Sequence, residues 1–296
     1  MKVLVTGANG FIGQAFTRRL GTDPSVSTIG VVRSGALHGL DATCSIVNAD
    51  LSVRGWSKVL PQGIDRVVHL AQSRRYREFP DGAPDMVALN VDATFELIHW
   101  ASQHNVRRFI FASTGNVYAP SQDFLVEESP CDPGSMYAAT KLCGESLVRQ
   151  YARQIEVVVV RLFGVYGPKQ RGMLIDNLIE RVSRNDEINL ARGGGLHLCP
   201  LYIDDCVEML CRLLTERSKG SGTYNLCGNE KLSLEQIVSN IASVLMQQPR
   251  FRNIEDDPRY LLGCNKKFSR DFGFSPTVTF DDGIVRTIKA HKTVSS

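Results

Sequence analysis

Short apolar runs recur through the first half of the chain, each closed by a glycine-rich or polar turn and followed by a stretch with helical spacing. Lys2-Val3-Leu4-Val5 opens the series, and its unbroken apolar character suits a strand covered on both faces. Thr6 to Gly13 then turns the chain into a helix running on to Leu20. Ser27 to Arg33, Cys44 to Ala49, Arg66 to Ala71, Arg108 to Ala112 and Glu156 to Phe163 are the next strands in this reading, with helices over about Asp85 to His104 and Ser135 to Ala152. Strand and helix in alternation predict an α/β fold with a doubly wound parallel sheet. The second half is less regular. It reads as a helix over Arg171 to Arg184, a flexible turn at Gly193-Gly194-Gly195, a helix opened by Asp204-Asp205, a strand at Thr223 to Leu226 and an amphipathic helix over Leu232 to Met246. The expected division is a dinucleotide-type domain over 1–168 with a returning segment at about 201–227, and a smaller, mainly C-terminal substrate lobe over 169–200 and 228–296.

Composition narrows the function classes. The 296 residues are 43% hydrophobic and 22% charged, as in an ordinary globule, and the formal charge is only +3. Arg74-Arg75 and Arg107-Arg108 are pairs rather than runs, so no electrostatic case for nucleic acid exists. No apolar stretch is long enough to span a bilayer, and the strand at residue 2 leaves no room for a secretory leader, so a cytoplasmic protein is expected. Eight cysteines at 44, 131, 143, 199, 206, 211, 227 and 264 form no C-x-x-C pair and read as buried reduced thiols, with no ligand cluster for a metal.

The candidate chemistry begins in the first turn. Gly7 and Gly10 let the backbone reverse and approach a pyrophosphate, Gly13 lets the helix pack on the strand, and the helix start aims free N–H groups at phosphate. The G-x-x-G-x-x-G spacing departs from the G-x-G-x-x-G fingerprint but still points to a Rossmann-type dinucleotide site. At the end of the second strand, where an adenosine ribose would lie, Arg33-Ser34 offers a cation and a hydroxyl instead of a carboxylate, which favours NADP, with NAD as the alternative. The loop Ser73-Arg74-Arg75-Tyr76-Arg77 suits either an anion grip or solvated loop charge. Thr114 stands at a strand end as a hydroxyl donor. Tyr137 and Lys141 are four apart on one helical face, about 5–6 Å between Cβ atoms, where an ammonium favours the phenolate.

Together these segments resemble the extended short-chain dehydrogenase/reductase family, the group of nucleotide-sugar epimerases, dehydratases and ketoreductases. The resemblance rests on Thr6-Gly7-Ala8-Asn9-Gly10-Phe11-Ile12-Gly13, His69-Leu70-Ala71, Asn90-Val91-Asp92-Ala93-Thr94, Ser113-Thr114-Gly115-Asn116-Val117-Tyr118, Tyr137-Ala138-Ala139-Thr140-Lys141 and Val165-Tyr166-Gly167-Pro168. It implies cofactor contacts from Gly7, Asn9, Gly10, Phe11, Ile12 and Gly13, from Asp50-Leu51 at the adenine, and from Leu70, Ala71, Asn90, Tyr137 and Lys141. Asn90 is expected to brace the strand ends. The implied catalytic set is Thr114 holding the reacting oxygen, Tyr137 exchanging its proton, and Lys141 tuning Tyr137 and anchoring the ribose. Substrate candidates are Gln72, Arg74, Asn116, Gly164 and His197; three mark departures, since Gln72 replaces an alanine, Gly164 replaces an asparagine, and Leu198 beside His197 replaces an arginine that clamps a diphosphate in the family. Gly115-Asn116 lacks the Asp-Glu of the 4,6-dehydratases. The implied activity is oxidoreduction of a sugar-like secondary alcohol or ketone, with a 4,6-dehydratase disfavoured: first an NADP-dependent 4-ketoreductase, then an NAD-dependent nucleotide-sugar 4-epimerase, and, from another class, a non-catalytic cofactor sensor or scaffold. The helix bearing Tyr137 builds dimers in the family, so a homodimer acting on a small-molecule nucleotide sugar is the expected partner state.

Overall fold

The computed structural model describes residues 1–33, 42–216 and 220–294. Its centre is a parallel sheet. Strand β1 (Lys2–Thr6) pairs with β2 (Ser27–Val32) on one side and β4 (Arg66–His69) on the other. Beyond β2 lies β3 (Ser45–Asn48), and beyond β4 lie β5 (Arg108–Thr114) and β6 (Glu156–Leu162). Strand Gly222–Leu226 closes the far edge, giving seven strands. The apolar runs are unbroken because helices cover both faces. Leu4, Val67, Phe109 and Val157 from the strands share one buried cluster with Leu97, Ile98, Trp100 and Val148 from the helices.

Helix α1 (Phe11–Leu20) follows β1. The helix expected over 85–104 is three pieces: α2 (Ala83–Val87), a π-turn at Ala88–Asp92, and α3 (Ala93–Gln103). The interruption falls on Asn90, whose side chain bonds outside the helix, and such π-turns collect at functional positions. Helix α4 (Met136–Arg149) starts at Ser135, whose hydroxyl accepts from the Ala138 N–H at 3.2 Å.

Two compact units are present. The first comprises Met1–Ala119, Ser129–Leu162 and Val207–Tyr224; the second comprises Pro120–Glu128, Phe163–Cys206 and Asn225–Ser296. Within the second unit, strands Leu196–Leu198, Leu232–Ser233 and Arg259–Leu261 form a small sheet, and Glu187–Ala191 pairs in parallel with Arg250–Ile254. All three glycines at 193–195 have positive φ, so that turn has a fixed left-handed path that side-chain-bearing residues resist. Asp205 does more than open the helix Ile203–Thr215: its carboxylate accepts from the Thr277 and Val278 N–H groups at 3.1 and 2.9 Å and ties down the approach to the last helix. Ser233 and Gln236 form a reciprocal capping box on helix Leu234–Leu245. No described helix is long and apolar enough to cross a membrane.

A buried line of hydrogen bonds runs across the first unit. Thr94 donates its hydroxyl to the Asn90 carbonyl at 2.9 Å, so its oxygen accepts from His69 Nε2 at 3.0 Å. That fixes the tautomer: His69 Nδ1 is the acceptor for the Thr6 hydroxyl at 2.5 Å. Burial, with the Lys141 charge in second place, lowers the His69 imidazole to about 3. The ring therefore stays neutral in the fold while an unfolded histidine takes up a proton near pH 6.5. Above that pH both states are neutral; as pH falls below it the unfolded chain alone gains the proton, and stability is lost. We expect urea stability to fall between pH 7 and 5 with up to about 1.4 kcal/mol per pH unit from this one group, and the slope to flatten in His69→Asn. Equal slopes for both proteins contradict the assignment.

Candidate active site

The turn after β1 is held against the chain leaving β4. Gly7 has φ +68°, and a Cβ there would lie 2.7 Å from Ala71 N and 2.9 Å from the Leu70 carbonyl carbon, both backbone atoms. No side chain fits. Strand order reverses at this point, since β2 and β4 flank β1 on opposite sides, and such switch points open crevices for nucleotides at the carboxyl ends of strands. Gly10 donates its N–H to Gly7 O at 2.9 Å and caps α1 without a side-chain bond; the first turn carries no acidic residue. Its leading N–H groups and the positive end of the helix are thus suited to an anion. A Cβ on Gly13 would sit 2.1 Å from Gly7 O, so this glycine is set by helix-on-turn packing. Asn9 receives Gln14 Nε2 on its carbonyl at 2.9 Å, and Phe11 and Ile12 are the first two residues of the helix. These features fit a dinucleotide pyrophosphate.

At the end of β2, Arg33 is exposed, and Ser34 lies outside the described residues. Asp50 bonds its own neighbour, accepting from the Ser52 hydroxyl at 2.7 Å and N–H at 3.0 Å. Those bonds hold its carboxyl below the usual range, with the Arg33 charge contributing. The element that follows Asp50 is a short 3₁₀ turn at Trp56–Val59. Leu51 is buried beside it in the core.

The reacting end gathers around β4, β5 and α4. Thr114 is the last residue of β5, and its Oγ1 accepts from the Asn116 N–H at 3.2 Å and Nδ2 at 3.1 Å. Tyr137, half-buried in the first turn of α4, donates its hydroxyl to Gln72 Oε1 at 2.9 Å. Tyr76 lies against it with ring centroids 5.4 Å apart, and Arg77 stacks on Tyr76 at 5.1 Å. A cavity of ≈ 380 Å³ beside the start of α4 is lined by Tyr76, Phe79, Gly134, Ser135 and Met136. Asn90 accepts from the Ser73 N–H at 3.1 Å and donates to Thr140 at 3.0 Å, and Thr140 donates to the Tyr137 carbonyl at 2.9 Å. It therefore braces the loop after β4 against the helix carrying the tyrosine. Arg74 is exposed on that loop.

Lys141 is 1% exposed and donates to the Ala112 carbonyl at 2.6 Å, with its ammonium 4.9 Å from the Phe111 ring centre. Burial lowers it to about 7, against an opposing pull from Glu145. Tyr137 departs from the sequence expectation: burial pushes its phenol above the ordinary value, the Thr114 hydroxyl opposing, so the ammonium does not depress it in this state. The physical reason is that Lys141 is turned to a strand carbonyl.

Sequence reasoning missed the charge beneath the site. Glu145 is fully buried; its carboxylate meets Arg161 at 2.7 Å and Arg149 at 2.7 Å and accepts from the Ser113 hydroxyl at 2.5 Å. Burial raises its carboxyl, and the bonds from Arg161 outweigh that and hold it low. The available signal was spacing: Glu145 follows Lys141 by four and shares its face. Tyr76 and Ser73 carried no comparable signal. The remaining candidates lie in the second unit. Gly164 has φ +50°, and a Cβ there would lie 3.0 Å from the Leu198 side chain, itself buried. His197 bonds Gly193 O through Nε2 at 2.9 Å and stacks on Tyr260 at 4.8 Å. Among the described residues no group of histidine, cysteine and carboxylate side chains could hold a metal ion.

Comparison with known proteins agrees with this geometry. The model of the NAD dependent epimerase/dehydratase family matches residues 3–227. The chain is 27% identical to the uncharacterized UDP-glucose epimerase YtcB of Bacillus subtilis, over 97% of each chain. It is 29% identical to a dTDP-glucose 4,6-dehydratase of Streptomyces niveus, over 99% of this chain and 93% of the other. The solved UDP-glucuronic acid 4-epimerase of Bacillus cereus, in complex with UDP-glucuronic acid and NAD, superposes with a TM-score of 0.90 at 27% identity, covering 99% of this chain and 100% of that one.

Replacing Glu145 by Gln leaves Arg161 buried without its carboxylate. The expected cost is about 3–5 kcal/mol in urea unfolding, whereas Arg75→Gln, which breaks an exposed pair, should leave the unfolding midpoint nearly unchanged. A loss below about 1 kcal/mol for Glu145→Gln would refute the buried network's role in stability.

Proposed function

The chain belongs to the NAD dependent epimerase/dehydratase family, and on that premise we propose that it is an NAD-dependent nucleotide-sugar 4-epimerase. The observation that supports this reading is Thr114 at the carboxyl end of β5, its hydroxyl acting on Tyr137, with Lys141 bonded to Ala112 of the same strand and Gly115-Asn116 in place of the acidic pair implied for a 4,6-dehydratase. Returning a hydride to the opposite face of one carbon needs no second acid or base.

In this proposal the dinucleotide is held by the Gly7–Gly13 turn and the start of α1, with Leu70 and Ala71 as floor and Asp50-Leu51 at the adenine. When bound, its nicotinamide supplies reversible hydride acceptance. Tyr137 takes the proton from the sugar 4-hydroxyl and gives it back, and Thr114, itself steadied by Asn116, holds that oxygen. Lys141, bonded to Ala112, presents a positive field near the tyrosine and a donor for the ribose. NAD is favoured over NADP: the Bacillus cereus structure holds NAD, and the charge of Arg33 acts on Asp50, so the NADP expectation drawn from Arg33 gains no support. Gly164 and Leu198, in the second unit, stand in place of the family's Asn and Arg, so the family's own grip on a diphosphate is not carried over to these positions. A homodimer is assigned to the α3–α4 face, on which Phe95 is 47% exposed. The second reading, a 4-ketoreductase, is favoured by one feature, the protonated Tyr137.

The test is incubation with NAD and UDP-glucose, UDP-galactose or UDP-glucuronic acid, with the 4-epimers separated by chromatography. Conversion of at least one sugar is expected, and Tyr137→Phe should lower kcat by about 10²–10⁴-fold while NAD affinity stays within about threefold, a change of less than 1 kcal/mol. Full activity in Tyr137→Phe, or no conversion of any of the three, overturns the reading.

A further inference from the structure

Gln72 has a longer reach than the alanine it replaces, and it uses that reach on Tyr137. The loop that carries it is fixed from behind. Ser73, fully buried, gives its N–H to Asn90 at 3.1 Å and its hydroxyl to Asp85, and receives the Arg75 N–H at 3.0 Å. Gln72 is therefore set on a braced backbone, and its side-chain oxygen accepts the phenol proton at 2.9 Å. A phenol has one proton to donate. While the Gln72 oxygen holds it, that proton cannot bond a substrate oxygen, and in this orientation of the amide the neutral ring is favoured over the phenolate, which Gln72 could bond only by turning its NH2 group toward it.

We propose that Gln72 is a positioning residue that holds Tyr137 in its protonated, proton-giving form until a substrate oxygen takes the place of the amide. The resting site is then set for reduction: a ketone carbon receives hydride from the reduced nicotinamide, its oxygen receives the Tyr137 proton, and a phenolate remains. Oxidation of an alcohol must first free the phenol from Gln72. This inference rests on Tyr137 being the acid–base group of the proposed function and adds to it the direction in which the free enzyme is poised.

The titratable and charged groups on the elements around this tyrosine are Tyr76, Arg74, Arg77 and the Arg75–Glu78 pair on the 73–78 loop, Asp85 on α2, Lys141 and Glu145 on α4, and neutral His69 on β4; of these, Tyr76 adds to the upward push on the phenol. Gln72→Ala and Gln72→Glu change none of these. The experiment places 3,5-difluorotyrosine at position 137 of the full chain, which brings the phenol into a range the protein tolerates, and follows its ionisation by the fluorine resonance. Loss of one neutral hydrogen bond in Gln72→Ala should lower the apparent pKa by about 0.5–1 pH unit, and the acceptor-only carboxylate of Gln72→Glu should raise it by at least as much. Titrations of both variants within about 0.2 pH unit of the parent, well under the worth of one hydrogen bond, overturn the proposal. The readout needs no sugar substrate, so a protein that fails every epimerase assay still decides it.

Discussion

The structure depends on one close approach, the backbone after β1 lying against the backbone after β4 at Gly7. That contact admits no Cβ, and it brings the strand ends on either side of the switch point close enough for their side chains to be joined. From there the bonds continue without a break: Thr6 to His69, His69 to Thr94, Thr94 to Asn90, Asn90 to Thr140, and Thr140 to the backbone of Tyr137. Every member is neutral and buried or nearly so, which suits a network in a region of low dielectric where each unpaired group is costly. The turn that suits a dinucleotide and the helix that carries the phenol are thus parts of one rigid assembly.

Charge is placed under this assembly rather than within it. Tyr137, Lys141 and Glu145 follow at intervals of four on α4, so the same helix face carries a phenol, an ammonium and a carboxylate at increasing depth. The carboxylate is matched by Arg161 from β6, whose guanidinium also lies 4.4 Å from the Tyr118 ring centre. Lys141 bonds a strand carbonyl and lies against an aromatic face. A lysine held this way carries its proton weakly, and small changes of field near it alter its charge near neutral pH.

Much of this was legible in the sequence. Apolar runs marked six of the seven strands of the sheet between residues 2 and 163, and Thr223 to Leu226 marked the last, because burial on both faces of the central strands leaves no alternation to confuse the reading. Gly7, Gly10 and Gly13 were legible because spacing alone puts them in one turn. Tyr137 and Lys141 were legible as a helical pair, but their partners were not. The Tyr137–Gln72 bond spans 65 residues and the Lys141–Ala112 bond spans 29, and no local pattern encodes either. The π-turn at Asn90 was likewise hidden, since a helix with one extra residue in a turn keeps nearly the same apolar spacing. Arg33 is a related case, and the NADP expectation drawn from it gains no support: a cation at a strand end says nothing of the carboxylate at Asp50 that comes close to it only after β2 and β3 pair.

The central claim, that the Gly7 turn and the strand ends around it form a site for NAD, is tested most directly by calorimetric titration of the purified, cofactor-stripped chain with NAD and NADP in parallel. Saturable one-to-one binding of NAD, at least tenfold tighter than that of NADP, a difference of about 1.4 kcal/mol, is expected. Binding of neither dinucleotide, or NADP binding the tighter of the two, would contradict it.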